Sequence, residues 1–209
     1  MPTNDSRLST PDYHTFLRSR RSIRRFKPDL VPAAVIECIL ETATYAPSAH
    51  NKQPWRFVVV TNAEAKTRLA KGITARFRAD MTADGAPEAE IKARVERTIR
   101  RTNEAPVVIV LCREITSVKP QTDAPRQQAE EMMAVQSTAL AGLQLLLAAH
   151  AEGLGGTWIG WPLFAQEESR AALDLPEAWE PQGMVCIGYP SETPDTPERK
   201  PLEEITLFL

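Results

Sequence analysis

Two prolines bracket a polar loop, Pro47-Ser48-Ala49-His50-Asn51-Lys52-Gln53-Pro54-Trp55, which opens directly into the apolar run Arg56-Phe57-Val58-Val59-Val60. Such a run reads as a buried strand, and the prolines punctuate the chain before it. A loop rich in Ser, Asn, His and Gln, held between a helix and a core strand, can set amide donors and acceptors against a flat polar ligand. Some twenty-five residues earlier, the segment from Arg18 to Lys27 carries six basic residues and no acid. That balance suits a phosphate, because guanidinium forks bind phosphate in a bidentate way. If the backbone there is extended, Arg20, Ser22 and Arg24 fall on one side. In a helix only Arg20 and Arg24 would align.

The remaining pattern places strands among helices. Helices are expected over Asp12–Ser19, Pro32–Ala46, Ala63–Ile73, Pro87–Thr102, Gln128–Ala151 and Gln166–Leu173. In Pro32–Ala46 the apolar stripe is Val35, Ile36, Ile39, Leu40 and Ala43, with proline near the first turn and another just past the end. Strands are expected over Arg56–Thr61, Pro106–Cys112, Thr157–Gly160 and Met184–Gly188. The glycines at 153, 155 and 156 end the long Gln128–Ala151 helix. Strands scattered among helices predict an α+β or three-layer α/β/α protein. There are no internal repeats.

Composition removes several classes. At 209 residues the chain suits one domain, 1–209, with one sizeable core. Its net charge of −2 supports neither nucleic-acid nor anionic-membrane binding. The apolar stretch Ala134–Ala151 is interrupted by Gln136, Ser137, Thr138, Gln144 and His150, so it reads as a buried helix rather than a membrane span. Cys38, Cys112 and Cys186 are far apart, and each sits in an apolar run. All three are expected to be buried small hydrophobes. The polar first ten residues contain no signal-peptide pattern, which predicts a cytoplasmic location. The histidines His14, His50 and His150 lack ligand spacing, so no metal site is expected.

Four elements in order carry a family resemblance. They are Arg20-x-Ser22-x-Arg24-x-Phe26, then Ala46-Pro47-Ser48-x-x-Asn51-x-Gln53-Pro54-Trp55, then Gly153-Leu154-Gly155-Gly156-Thr157-Trp158-Ile159-Gly160, then Arg199-Lys200-Pro201-Leu202-Glu203-Glu204. From about Tyr13 to Leu207 the chain resembles the FMN-dependent nitroreductase family. It is most similar to small members akin to the C-terminal domain of the bifunctional coenzyme F420 ligase. The resemblance implies a mainly antiparallel central sheet flanked by helices, in an intertwined homodimer. It also implies FMN as cofactor and NADH or NADPH as co-substrate. The reaction it implies is ping-pong hydride transfer through flavin N5 to a nitroaromatic, quinone or other small acceptor. Two other readings stand beside it: reduction of a deazaflavin (F420) biosynthesis intermediate, and a flavin-binding module without turnover.

The same resemblance assigns residues. Arg20, Ser22 and Arg24 would hold the FMN phosphate and ribityl oxygens, and Arg199 would close the clamp, with Lys200 the alternative. Arg21 joins this group but could equally be a surface charge or an inter-subunit pair. Pro47, Ser48, Ala49 and Asn51 would meet the flavin ring from the opposite subunit. Trp158, Ile159 and Gly160 would line the ring, with a backbone amide facing N5. The chemistry is flavin-centred, so no side chain is assigned a catalytic role. Gln53 could instead stabilise the loop, Trp55 reads as core, and His50 reads as a solvent- or substrate-facing loop residue. Trp158 and Trp161 could shape the pocket or fill the core. Larger members carry Glu-Gly where this chain has Gly160-Trp161. The glycines near 155 would let backbone pass close to a flat ring. The C-terminal extension, from about residue 190, would embrace the partner. Its apolar end, Ile205–Leu209, could pack on its own subunit or add to the partner as a strand.

Overall fold

The second and fourth apolar runs are buried on both faces, and this fixes the layers. The structure is a computed structural model, and it describes residues 10–209. The strands are β1 (Trp55–Val60), β2 (Val107–Glu114), β3 (Gly155–Ile159) and β4 (Trp179–Gly188). They form one antiparallel sheet in the order β1-β2-β4-β3. Along β2, Val107, Ile109 and Leu111 enter one apolar cluster, while Val108, Val110 and Cys112 enter another. β4 splits the same way, with Val185 and Ile187 on one side and Met184 and Cys186 on the other. A strand covered on both faces reads as a continuous apolar run rather than an alternating one.

The helices are α1 (Thr10–Ser19), α2 (Ala33–Ala43), α3 (Ala63–Ala83), α4 (Glu88–Glu104), α5 (Ala124–Ala151), α6 (Trp161–Phe164), α7 (Gln166–Ala172) and α8 (Leu202–Ile205). Ile36, Ile39 and Ala43 of α2 join Leu145 and Ala149 of α5 in the first cluster. Leu69, Ile73 and Phe77 of α3 face the second. The result is the expected three-layer α/β/α arrangement. α5 is long and apolar enough to cross a membrane by length and composition, but half of its apolar window is buried in the protein. It is the central helix of the first layer.

Three boundaries move for identifiable reasons. α3 continues ten residues past the expected Ile73, because its buried stripe runs on through Thr74 to Phe77. α5 begins at Ala124, where the side chain of Asp123 accepts the Arg126 amide hydrogen bond at 2.9 Å. Pro125 therefore sits in a first helical turn, where a missing N–H costs nothing, rather than in a loop. β4 begins at Trp179, not Met184, and passes through Pro181 by a bulge. Leu111 pairs with Gly183 and Cys112 with Pro181, leaving Gln182 as the extra residue. Bulges are among the few places where a strand tolerates proline.

One cysteine assignment is corrected. Cys112 and Cys186 are buried, and desolvation pushes both thiols up to about 12. Cys38 is exposed. It lies on α2 between the buried positions Ile36 and Ile39, on the face turned away from the sheet. An apolar neighbourhood in sequence is not burial when the helix has an outer face.

Candidate functional site

The basic segment is extended, as the one-sided reading of Arg20, Ser22 and Arg24 requires. Ser22 bridges Gly156 in parallel, and the Ile23 amide donates to the Gly156 carbonyl at 3.0 Å. The segment then crosses the end of the sheet, where the Lys27 amide donates to the Tyr189 carbonyl at 2.8 Å. Pro190–Pro197 lies back against it. The Ser191 amide donates to the Arg25 carbonyl, and the Glu192 carboxylate accepts from the amides of Arg24 and Arg25 at 2.6 and 3.2 Å. This strap delivers Arg199 to the basic segment. Arg20, Arg21, Ser22, Arg24 and Arg199 line one cavity of about 220 Å³ with Asp195 at its edge. Arg21 is largely committed to structure, donating to the carbonyls of Arg18 and Arg20 and to Thr196 Oγ1 at 2.7 Å. Among the described residues the Arg24 side chain makes one long bond, 3.3 Å to the Ser22 carbonyl. Most of its donors face the cavity unspent.

The Pro47–Trp55 loop is strained and pinned. His50, Asn51 and Gln53 all have positive φ, at 53°, 53° and 48°. Non-glycine residues in that region cost about 1–3 kcal/mol each and persist only where the surroundings hold them. The holding contacts are visible. Gln53 donates its amide to Ser48 Oγ at 3.1 Å and its side chain to Asn51 Oδ1 at 3.1 Å. Gln53 therefore does stabilise the loop. The Ala49 amide donates to Ser137 Oγ of α5 at 3.2 Å. Lys52 pairs with Glu130 of α5 at 3.0 Å. Its hydrogen bond draws the Glu130 carboxyl below the usual range. Ser137 and Glu130 escaped the sequence reading, and their signal is faint: polar residues on a helix chosen for its apolar content. Trp55 is 5% exposed and belongs to the core, as read.

The Gly153–Gly160 stretch is corrected in part. Gly153, at φ 72°, turns the chain out of α5. A Cβ on Gly155 would lie 2.6–2.8 Å from the Ile23 side chain, and one on Gly156 would lie 2.7 Å from Leu146. These two glycines make room for the protein's own side chains rather than for a ring. Gly160, like Gly153, has open space around it. Trp158 stands in a slot between α5 and β4, because a Cβ on Gly142 or on Gly183 would meet its ring at 2.3 or 2.5 Å. It is still 37% exposed. Trp161 is half-buried and meets Phe77 edge-on at 6.4 Å.

The sheet order decides which predicted residues meet. Arg20, Arg21, Ser22, Arg24 and Arg199 meet at the β3 edge, and Trp158, Ile159 and Gly160 continue along that strand. Pro47, Ser48, Ala49 and Asn51 precede β1, at the opposite edge. Three strand spacings, about 14 Å, separate those edges. The two groups therefore sit at opposite edges of one chain's sheet.

Beside the clamp, the Ser19 hydroxyl and His150 Nε2 are 2.7 Å apart, and the His150 ring stacks on Phe16. Burial lowers the His150 pKa, and the nearby Arg20 and Arg21 lower it further.

A basic cavity on one edge of a three-layer sheet and a strained amide-rich loop on the other match a known class. Residues 17–189 match the Nitroreductase family, and the chain belongs to that family. An NADH dehydrogenase of Thermus thermophilus is 31% identical, over 98% of this chain and 99% of its own. A 5,6-dimethylbenzimidazole synthase of Rhodospirillum rubrum is 32% identical, over 86% of this chain and 82% of its own. A nitroreductase-named structure from Desulfovibrio desulfuricans, solved in complex with FMN, is 25% identical. It superposes with a TM-score of 0.72, covering 97% of this chain and 98% of that one. These names speak to the family and not to the narrower likeness to the F420 ligase domain.

Proposed function

We propose that this chain is an FMN-dependent NAD(P)H oxidoreductase working as a homodimer. The carrying observation is the 220 Å³ cavity in which guanidinium groups and a hydroxyl from both ends of the chain converge. Its donor set fits a phosphate monoester, which is the end FMN offers. When bound, FMN supplies the redox chemistry, taking hydride from NADH or NADPH and passing it to a small acceptor. The protein binds and orients. Arg20, Ser22, Arg24 and Arg199 would hold the phosphate, and Gly160, with open space around it, would let a flat ring approach backbone. Trp158, gripped between Gly142 and Gly183, offers a rigid wall. The second subunit would bring the loop of Pro47, Ser48, Ala49 and Asn51, which its own bonds to Gln53 and Ser137 hold in shape.

Two features support the second copy. α5 presents Met132, Leu140 and Leu143 at 52%, 42% and 49% exposure, a helical stripe of apolar residues without cover. Past the strap, Leu202, Ile205, Leu207 and Phe208 are all exposed, so the tail does not pack on its own subunit. A partner surface would cover both.

The test is anaerobic addition of NADH or NADPH to the yellow holoprotein. Loss of the oxidised-flavin absorbance near neutral pH supports the enzyme. Flavin that stays oxidised with both donors supports a binding module instead. The Rhodospirillum rubrum relative raises a second reading, synthesis of 5,6-dimethylbenzimidazole. Chromatography of the aerobic reaction for that compound separates the two.

A further inference from the structure

A second basic cavity adjoins the flavin clamp. It has a volume of about 550 Å³ and lies where β1 and β4 end and β2 begins, bounded by Thr61 and Pro106. Arg24, Arg25 and Lys66 line it, and Phe26, Pro28 and Leu30 give it an apolar wall. Arg24 also lines the flavin clamp, so the two cavities share that residue.

Its charge is unbalanced. Lys66 is 7% exposed, and its ammonium reaches no carboxylate among the described residues. It donates to the Ala105 and Asn103 carbonyls at 2.8 and 3.3 Å. Those bonds cap the C-terminal end of α4 and leave one of three N–H groups free. The Arg25 guanidinium is 3.9 Å from Glu192, a loose pair with the arginine 82% exposed. On the last turns of α4, Arg97, Arg100 and Arg101 form no ion pair among the described residues. Burial lowers the Arg101 pKa, and Arg24, Arg97 and Arg100 lower it further. Glu104, at the rim, is the one acid lining the cavity, and it pairs with none of these cations. Arg24, Arg25 and Lys66 outnumber Glu104 and the loosely paired Glu192, and this excess of like charge favours an anion that fills the site.

We propose that this cavity receives the 2′-phosphate-bearing adenosine of NADPH, making the phosphorylated nicotinamide nucleotide the preferred hydride donor. The cations take the 2′-phosphate, and the Phe26, Pro28 and Leu30 wall takes the adenosine body. The site lies at the opposite end of the sheet from Gly160, about 17 Å along β3 and about 10 Å across to β2, a span of about 20 Å that a fully extended dinucleotide can bridge. This inference rests on the oxidoreductase reading above.

The experiment titrates the FMN-loaded protein with 2′,5′-ADP, 5′-AMP and inorganic phosphate by calorimetry. In parallel, kcat/KM is measured for NADPH and NADH. The variants are Arg25→Gln and the surface change Leu30→Glu, which sets a carboxylate on the cavity wall. The expected result is that 2′,5′-ADP binds at least tenfold tighter than 5′-AMP or phosphate without displacing FMN. Both variants weaken that binding about tenfold and lower kcat/KM for NADPH by a similar factor, leaving NADH unchanged. Equal binding of 2′,5′-ADP and 5′-AMP overturns the proposal. So does release of FMN by 2′,5′-ADP, which would place the ligand in the flavin clamp, or an unchanged nucleotide preference in both variants. If neither nicotinamide reduces the flavin, the oxidoreductase reading fails, and the calorimetry still decides what the cavity binds.

Discussion

Gly155→Ala links packing to the candidate flavin site in one substitution. A Cβ at this position would sit 2.6 Å from Ile23 Cγ1, 2.7 Å from its Cβ and 2.8 Å from its Cγ2. No real Cβ is accommodated at such distances, so either Ile23 or β3 must shift. Ile23 is 7% exposed and its amide is bonded to Gly156, so it has little room to yield. Overpacking of this kind costs about 1–3 kcal/mol. In a chain of this size that lowers Tm by about 2–12 °C. Ile23 lies between Ser22 and Arg24, so its displacement also moves the clamp. FMN affinity is expected to fall about tenfold, the equivalent of one charge-assisted hydrogen bond. Urea denaturation of the apoprotein gives the first quantity, and quenching of flavin fluorescence gives the second. Gly160→Ala is the internal control, since nothing lies within 4 Å of its added Cβ and its φ is −81°. Apoprotein stability should then stay within about 0.5 kcal/mol of the parent. A double-mutant cycle with Ile23→Ala should show coupling, because that change removes two of the three clashing atoms. Gly155→Ala stability within about 0.5 kcal/mol of the parent would refute the close-approach argument, as would strict additivity in the cycle.

The Arg20 side chain lines the cavity and makes no hydrogen bond or ion pair among the described residues. Arg20→Ala should weaken FMN binding about tenfold to a hundredfold while the fold persists; unchanged affinity by fluorescence titration would place it on the solvated surface. Truncation after Pro201 removes the exposed Leu202, Ile205, Leu207 and Phe208. It should loosen the dimer in sedimentation and release FMN together, and a monomer retaining stoichiometric FMN would defeat the two-subunit site. For His150, the folded pKa lies below its unfolded value near 6.5 because burial, then Arg20 and Arg21, oppose the charge. The unfolded chain therefore binds this proton first. The stability this residue contributes is full above that unfolded value and is lost as pH falls through the folded one. His150→Asn should flatten the acid side of the stability–pH curve below the unfolded value near 6.5, read from urea midpoints.

Much of the fold was legible in the chain itself. The continuous runs at 107–112 and 184–187 could be satisfied only by strands covered on both faces, and α2 carried its apolar stripe and its punctuating prolines openly. The four ordered motifs also gave the family. What local sequence could not carry was the outcome of long-range contact. The fourth strand reads as starting at Met184 until the bulge opposite Leu111 and Cys112 absorbs Gln182 and carries the pairing back through Pro181. Cys38 reads as core until α2 turns that face to solvent. The glycines at 155 and 156 read as a ring-approach motif, yet they are shaped by Ile23 and Leu146, which arrive from other elements. The site divides in the same way. The sequence by itself determined which groups can bind phosphate and which loop can present amides, because those follow from side-chain chemistry and local backbone restriction. Only the tertiary structure decided that Arg199 joins Arg20 and that the loop lies at the opposite sheet edge. Strand order is set by the summed packing of all layers, and no single segment encodes it.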